Sequence, residues 1–357
     1  VKKWVSVAAF VATSAPAAAF AAGWDTPILY TARHQGMGGT AIGYVNDPSA
    51  AFHNPAGLQG VKGVELLGNF SLILAEIRST PNQQQAQSID SNTIVAPFPF
   101  LTAAYRMQEW FTLGVGAYPV ASGAAEYEYD NILGNPTIDK TQVLFIEGTV
   151  LGSLNVPEDK LLPGNLSIGA GWRMTRVSLD REQGNPDDPR GLNLDLTGWD
   201  FSGVRLGLQY KPIPQLSFGA VWRSKVDVDA DGDTGVFIGQ NVNDPTVEFI
   251  LPQRFGFGAR YDLDRFGFAV DYEWADQSQN GRVNLEGTFE GAANPTVLQQ
   301  VYDWQDGSTL RAGVEYRIPA NSDYVPVRVG YLYDSRVTNP AFPSAFGTPP
   351  TATNSIT

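Results

Sequence analysis

Between positions 310 and 318 the chain reads LRAGVEYRI, and apolar and polar residues alternate without a break. Leu310, Ala312, Val314, Tyr316 and Ile318 fall on one face, and Arg311, Gly313, Glu315 and Arg317 on the other. The same pattern recurs upstream. Phe266, Phe268, Val270, Tyr272 and Trp274 oppose Gly267, Ala269, Asp271 and Glu273, and Phe255, Phe257, Ala259 and Tyr261 oppose Gly256, Gly258 and Arg260. Leu216, Phe218, Ala220 and Trp222 oppose Ser217, Gly219 and Arg223, and Leu166, Ile168, Ala170 and Trp172 oppose Ser167, Gly169, Gly171 and Arg173. Strict alternation is the period-two signature of a strand. Water-soluble sandwiches alternate too. Here, however, the polar face is mostly Gly and Arg, and the apolar face often ends in Tyr or Trp, as on a lipid-facing strand between aromatic girdles. The pattern predicts an all-β fold, a transmembrane antiparallel barrel. It turns Phe218, Trp222, Phe257, Tyr261, Phe268, Tyr272, Val314 and Tyr316 to lipid, and Arg223, Arg260, Asp271 and Arg311 to the lumen. A slip of one residue would invert every side chain.

Connection lengths follow the same plan. About eleven segments of barrel-strand character begin near Gly63, Phe98, Phe111, Gln142, Asn165, Leu194, Gln215, Pro245, Phe266, Ser308 and Tyr324. Tight joints (RMQEW, YKPIPQL, YDLDRFG) alternate with long polar ones at 78–96, 121–141, 181–193, 226–244 and 275–306. Short periplasmic turns set against long outer loops are barrel topology. The tail PPTATNSIT reads as a polar loop. Single-chain bacterial barrels have even strand numbers, so an odd count predicts a C-terminally incomplete barrel.

The N-terminus sets the compartment. Lys2 and Lys3 precede an uncharged apolar run that ends at Ala19-Phe20-Ala21, an A-x-A cleavage pattern. This predicts a cleaved signal peptide over 1–21 and hence an exported chain. Cysteine is absent, which excludes a disulfide framework and thiol chemistry. The net charge of -13 argues against nucleic acid. Much of the acid sits in the long joints, whereas the inferred inner face carries Arg173, Arg205, Arg223, Arg254, Arg260, Arg311, Arg317 and Arg328 against Asp271, Glu273 and Glu315. Such arginines either attract a carboxylate or fill a polar lumen with ion pairs.

No enzyme motif emerges. The only histidines are His34 and His53, and there is no G-x-S-x-G elbow. Asp229, Asp231 and Asp233 are spaced wrongly for an EF-hand and read as a solvated acidic stretch. Neither a metal nor a cofactor is expected.

One segment remains. NDPSAAFHNPAGL, at 46–58, is turn-rich, nearly uncharged and broken by two prolines, so turns rather than a helix are expected. With the Gly-rich residues before it, GMGGTAIGYVNDPSAAFHNPAGL resembles the start of the mature FadL/TodX-type proteins, the long-chain fatty acid and hydrocarbon transporters of the bacterial outer membrane. LSFGAVWRSKVDVDADGD, LPQRFGFGARYD, LRAGVEYRI and VRVGYLYDSRV resemble later strands of that family. The resemblance implies a barrel of fourteen strands over 63–357, about three more than counted. It also implies an N-terminal hatch over 22–62 that plugs the lumen. Asn54, Pro55, Ala56, Asp47, Pro48, Gly38 and Gly39 become hatch and gating candidates, and Arg173, Arg205, Arg223, Arg260, Arg311 and Arg317 candidate lumen charges.

The resemblance further implies passive uptake of a long-chain fatty acid or aromatic hydrocarbon by a monomer among outer-membrane lipid and lipopolysaccharide, without ATP or a water-filled pore. Ligand would be caught at the outer loops, with 121–129, Phe237 and Ile238 as candidate contacts. Family members also open sideways through the wall; Pro97 and Pro99 are read here as an ordinary strand start. A general porin and a structural or adhesive barrel are the alternatives.

Overall fold

Alternation does build strands, and they run longer than the apolar pattern suggested. The computed structural model describes residues 30–79, 88–130, 134–156, 163–185, 191–237, 239–320, 323–342 and 352–357; the expected signal peptide and Ile238 lie outside them. Two single-turn helices, α1 (Ala32–Gln35) and α2 (Ala50–His53), and a 3-10 turn (Pro55–Gly60) come first. The strands are β1 (Val64–Ala75), β2 (Arg78–Ser79), β3 (Ile89–Asp90), β4 (Ile94–Gln108), β5 (Phe111–Asp130), β6 (Pro136–Val156), β7 (Asn165–Gly184), β8 (Leu192–Ile213), β9 (Leu216–Arg223) and β10 (Val226–Asp231). They continue as β11 (Thr234–Phe237), β12 (Gln240–Leu251), β13 (Arg254–Leu263), β14 (Phe266–Ala275), β15 (Arg282–Phe289), β16 (Thr296–Val301), β17 (Gly307–Ala320), β18 (Asp323–Asp334) and β19 (Thr353–Ile356).

Among the described residues, twelve strands pair in sequence as the wall: β1, β4, β5, β6, β7, β8, β9, β13, β14, β17, β18 and β19, each antiparallel to the next. Toward the outer side the sheet continues. There β10 and β11 pair with β8 and β12, β12 with β15, and β15 with β16. The tight joints of the sequence lie at the opposite, periplasmic end. The tail corrects the sequence reading: Thr353–Ile356 is a twelfth wall strand paired with Tyr331–Asp334, not a loop. Four residues with one outward apolar side chain, Ile356, are too few to show a period.

Face assignment follows the alternation. Phe218, Phe257, Tyr261, Phe268, Tyr272 and Val314 are exposed on the outside, Trp222 and Tyr316 are half-buried, and Arg223, Arg260, Asp271 and Arg311 are buried inside. Trp222, Phe255 and Trp274 sit side by side on β9, β13 and β14, with ring centroids 6.4 and 6.0 Å apart, as an outer girdle. A spin label at Phe268 is expected to be reached by a lipid-soluble quencher, and one at Asp271 to be shielded. Equal accessibility at the two positions refutes the register. An arginine at mid-membrane on the lipid face costs about 2–4 kcal/mol, so the register is not free to slip.

The long polar joints require a second correction, because much of each is strand. β5 through β8 extend well past the girdle, and most of 226–237 is strand, β10 and β11 following one another along β12. The sequence concealed this by reversing its polarity. On β9 the apolar Phe218 faces out and Arg223 in; on β10, Val226, Val228 and Ala230 are buried while Asp227, Asp229 and Asp231 are exposed. β7 changes from Trp172 out and Arg173 in to Val177 and Leu179 in, and β8 from Leu206 out and Arg205 in to Leu194 and Leu196 in. Beyond the bilayer a strand needs no apolar outer face, since water rather than lipid meets it. The reversal places an apolar interior, including Val143, Phe145, Phe249 and Leu251, above the membrane-embedded polar lumen.

Candidate functional site

The segment 30–61 lies within the wall, and glycines make room for it. At Gly207 on β8 an added Cβ would overlap Asn54 Oδ1, and at Gly169 on β7 it would overlap the Pro55-Ala56 backbone. Gly219 on β9 similarly faces Ile42 and Gly43, Gly313 on β17 faces Met37, and Gly330 on β18 faces Gly38. These glycines occur as cross-strand neighbours, Gly169 beside Gly207 and Gly313 beside Gly330. The glycine-rich inner face is therefore a docking surface for another backbone. Gly38 meets it with φ of 67°, where a side chain would be strained and would strike the Tyr331 and Ala312 carbonyl oxygens at 2.6 and 2.8 Å.

Hydrogen bonds fix the docked chain. Asp271 Oδ2 accepts from the Ala41 and Ile42 amides at 2.7 and 3.0 Å. Asn54 is fully buried, and its Nδ2 donates to the carbonyls of Ile42 at 2.8 Å, Leu208 at 3.1 Å and Ala220 at 3.4 Å. Its Oδ1 accepts from the Ala56 amide at 3.1 Å, and the Ala56 carbonyl accepts from Ser153 Oγ at 3.1 Å. Sequence reasoning expected turns without helix. The structure instead has two short helical turns, with Asn54 extended at φ -163° as N-cap and Pro55 in the first turn of the second. Proline lacks only a donor that a helix start leaves unused, so here it begins a turn rather than breaking one. Asp47 Oδ1 accepts from the Ser49 amide at 2.8 Å, and Pro48 is buried beside it. His34 and His53 pack together inside this segment with ring centroids 4.6 Å apart.

The inner-face arginines form two groups. Near the outer girdle, Arg205, Arg223 and Arg254 are direct cross-strand neighbours, with Arg173 and Arg311 close by, and all five are buried. Glu147 binds Arg173 at 2.6 Å and Arg205 at 3.1 Å, and Glu273 binds Arg311. Nearer the periplasmic turns, Glu315 binds Arg260 at 2.9 Å, Arg317 at 3.1 Å and Arg328 at 2.8 Å, while Asp262 binds Arg260 and Arg317. Arg260 also lies over the Tyr44 ring, 4.6 Å from its centroid. Of the predicted charges, Arg173, Arg205, Arg223 and Arg311 thus come together, and Arg260 and Arg317 form a separate cluster. The sequence reading missed Glu147, which is fully buried.

Among the described residues, the ladder between β4 and β5 stops partway along both strands. β4 and β5 pair only from Gln108 and Phe111 up to Leu101 and Ala117. Above that level β4 stays paired with β1 and β5 with β6, where the register shifts between Pro119 and Ala121. The two sides meet again at the Asn92 amide, which donates to the Glu126 carbonyl at 2.7 Å. Pro97 and Pro99 lie inside β4, not at its start, a third correction. Two residues apart, they remove two donors from a single strand edge. The ladder to β1 runs through both, and the edge facing β5 is the one that opens. An aromatic cluster closes the lower rim: Phe100 stacks with Tyr118 at 5.0 Å and Tyr30 at 4.3 Å, and Phe52 meets Tyr118 edge-on at 5.5 Å. Tyr30 donates from its hydroxyl to the Pro119 carbonyl at 2.5 Å. At the outer tips a cleft of 1020 Å³ is bordered by Tyr129, Thr137, Ile138, Gln183, Leu192 and Val236.

The family described as outer membrane protein transport protein (OMPP1/FadL/TodX) matches residues 8–341. The chain belongs to this family. Its fold is shared with a FadL homologue of Pseudomonas aeruginosa (16% identity, TM-score 0.73, 94% of this chain and 85% of the other). It is shared also with the toluene transporter TodX of Pseudomonas putida (18%, 0.67, 89% and 86%) and the toluene transporter TbuX of Ralstonia pickettii (20%, 0.68, 88% and 88%). No curated protein matches the sequence. As a FadL/TodX-family barrel, the chain has a plugged lumen whose plug is the segment carrying Asn54-Pro55-Ala56. Of the outer contacts named from sequence, Ala121, Ala125 and Tyr127 face inward on β5 and Tyr129 borders the cleft, while Phe237 lies near Phe289 on the neighbouring outer strands. The apolar interior was not evident because apolar side chains alternating on a barrel strand are expected to face lipid. A signal was present on β7, where the apolar positions change phase between Trp172 and Val177; on β9–β10 they keep one phase and only the face they turn to changes.

Proposed function

We propose that this chain passes hydrophobic molecules across the outer membrane, from the apolar interior of the outer strands to the break between β4 and β5. The observation that carries this reading is the alignment of three features: an apolar interior above the girdle, a plugged lumen beneath it and an interrupted wall beside the plug. On this reading the docked hatch bars a polar solute, whereas a hydrophobic one enters the apolar interior and leaves sideways into lipid. The named relatives that carry toluene support a hydrophobic cargo. The outer arginine cluster favours an anionic head at the foot of the apolar region, so a long-chain fatty acid is the first cargo to test and an aromatic hydrocarbon the second. This favours a carrier of hydrophobic molecules over a general porin.

In this reading Asn54, Pro55 and Ala56 hold the hatch, with Asp47, Pro48, Gly38 and Gly39 shaping its turns. Replacing Asn54 and Pro55 by alanine removes the Nδ2 hydrogen bonds, each worth about 1 kcal/mol, together with the fixed proline φ. In proteoliposomes the double variant is expected to change oleate flux and raise leak of a small sugar, while its band remains heat-modifiable on a gel. Oleate flux and sugar leak both at wild-type levels would overturn the gating role. High sugar flux already in the wild type would favour the porin.

A further inference from the structure

Tyr118 occupies a position that joins the wall opening to the hatch. It is the first residue of β5 beyond the last pair with β4, so its backbone is where the two strands part. Its ring closes the lower rim by stacking on Phe100 of β4 at 5.0 Å. Its hydroxyl points inward, 2.8 Å from the Ala51 carbonyl in α2 and 3.0 Å from Glu147 Oε1, its own cross-strand partner on β6. Arg205 Nη1 donates to the same hydroxyl at 3.0 Å and to the Ala51 carbonyl, and Arg205 Nη2 reaches Glu147 at 3.1 Å. Arg173 Nε completes the Glu147 carboxylate at 2.6 Å. Within this knot only Tyr118 has one end at the opening and the other on the hatch. The Ala51 carbonyl lies three residues before Asn54 and ties α2 to the wall beside the Phe52 ring, which meets Tyr118 edge-on.

We propose that Tyr118 is a positioning residue that couples the state of the β4–β5 opening to the docking of the hatch. The proposal rests on the sideways route proposed above and adds to it a mechanical link. A molecule passing between β4 and β5 must part Phe100 from Tyr118. As the ring swings, the hydroxyl leaves the Ala51 carbonyl and loses its contact with Arg205. One hydrogen bond from Arg205 then remains where there were two donors, and α2 is loosened while cargo is in transit. When cargo has left, the stack re-forms and the hydroxyl returns. The hatch is thereby held most firmly when the opening is shut.

The test uses the full chain in liposomes, with a spin label at the exposed Asn46 position of the hatch and oleate as the probe. Wild type is expected to show a slow label that quickens when oleate is added. Tyr118→Phe keeps the ring and removes only the hydroxyl. It is expected to give a label already quickened severalfold without oleate, with little further response to it, in a barrel that remains heat-modifiable. A cargo-free arm uses Phe100→Ala, which loosens the stack. It should quicken the label in the wild-type background and add nothing in the Tyr118→Phe background, since coupled residues are not additive. Additive effects, or a Tyr118→Phe label as slow and as responsive as wild type, overturn the coupling. Failure of oleate to bind wild type would instead count against the cargo proposed above, and the cargo-free arm would still decide the role of Tyr118.

Discussion

Glu147→Ala will give a barrel that unfolds at markedly lower denaturant than wild type. The carboxylate is fully buried, held by Arg173 Nε at 2.6 Å and Arg205 Nη2 at 3.1 Å, and both arginines are themselves buried. Arg223 adds its field from the next strand. Removing the anion leaves at least two guanidinium groups uncompensated where water does not reach. Breaking a buried ion pair from one side costs about 3–5 kcal/mol, more than the net worth of the pair, because the orphaned charges carry the penalty. The check is urea unfolding in detergent micelles, followed by loss of the folded gel band. A variant that also replaces Arg173 by methionine should recover part of the loss, since one orphaned cation goes with it. An unfolding free energy within about 1 kcal/mol of wild type would show that water enters this cluster and that the ion pairs are not what holds it.

The second large effect is expected at Gly207. A valine there would drive its Cβ into Asn54 Oδ1 and the Pro55 ring, and neither has space to retreat between the wall strands. Overpacking typically costs about 1–3 kcal/mol. The displaced Asn54 also gives up its hydrogen bonds to Ile42, Leu208 and Ala220. Wall strands are held by ladders on both sides, and the hatch only by its contacts, so the hatch is what moves. Gly207→Val is expected to produce steady ion current in planar bilayers where wild type is silent, and to expose the hatch to protease. A silent, protease-resistant Gly207→Val protein would mean that the glycine face is not the docking surface. Gly207→Ala separates size from position and should give a smaller current of the same kind.

The sequence by itself determined the wall. Alternation at 216–223, 254–263, 266–275 and 307–320 fixed which side chains meet lipid, because a strand offers its side chains to two faces in turn and a bilayer tolerates only one kind on its side. It also located the docked segment through GMGGTAIGYVNDPSAAFHNPAGL, and it marked most inner-face arginines. The reversal was legible on β7, where apolar positions shift from Ile168 and Trp172 to Val177 and Leu179, but not on β9–β10, where Phe218, Trp222, Val226 and Val228 keep one period while the face they turn to changes. Only tertiary structure decided the rest. Whether Gly207 is a loose strand residue or a seat for Asn54 depends on a backbone 153 positions away in the chain, and periodicity carries no term for it. The opening between β4 and β5 is an absence of pairing, so no residue pattern names it, and Pro97 and Pro99 acquire their meaning from the neighbour they fail to meet. Glu147 looked like one polar residue in an apolar stretch, and its role arose when Arg173, Arg205 and Tyr118 converged on it from three strands. Single-strand patterns report which medium a side chain faces, whereas the hatch, the knot and the opening are made by partners distant in sequence, which only the folded wall brings into contact.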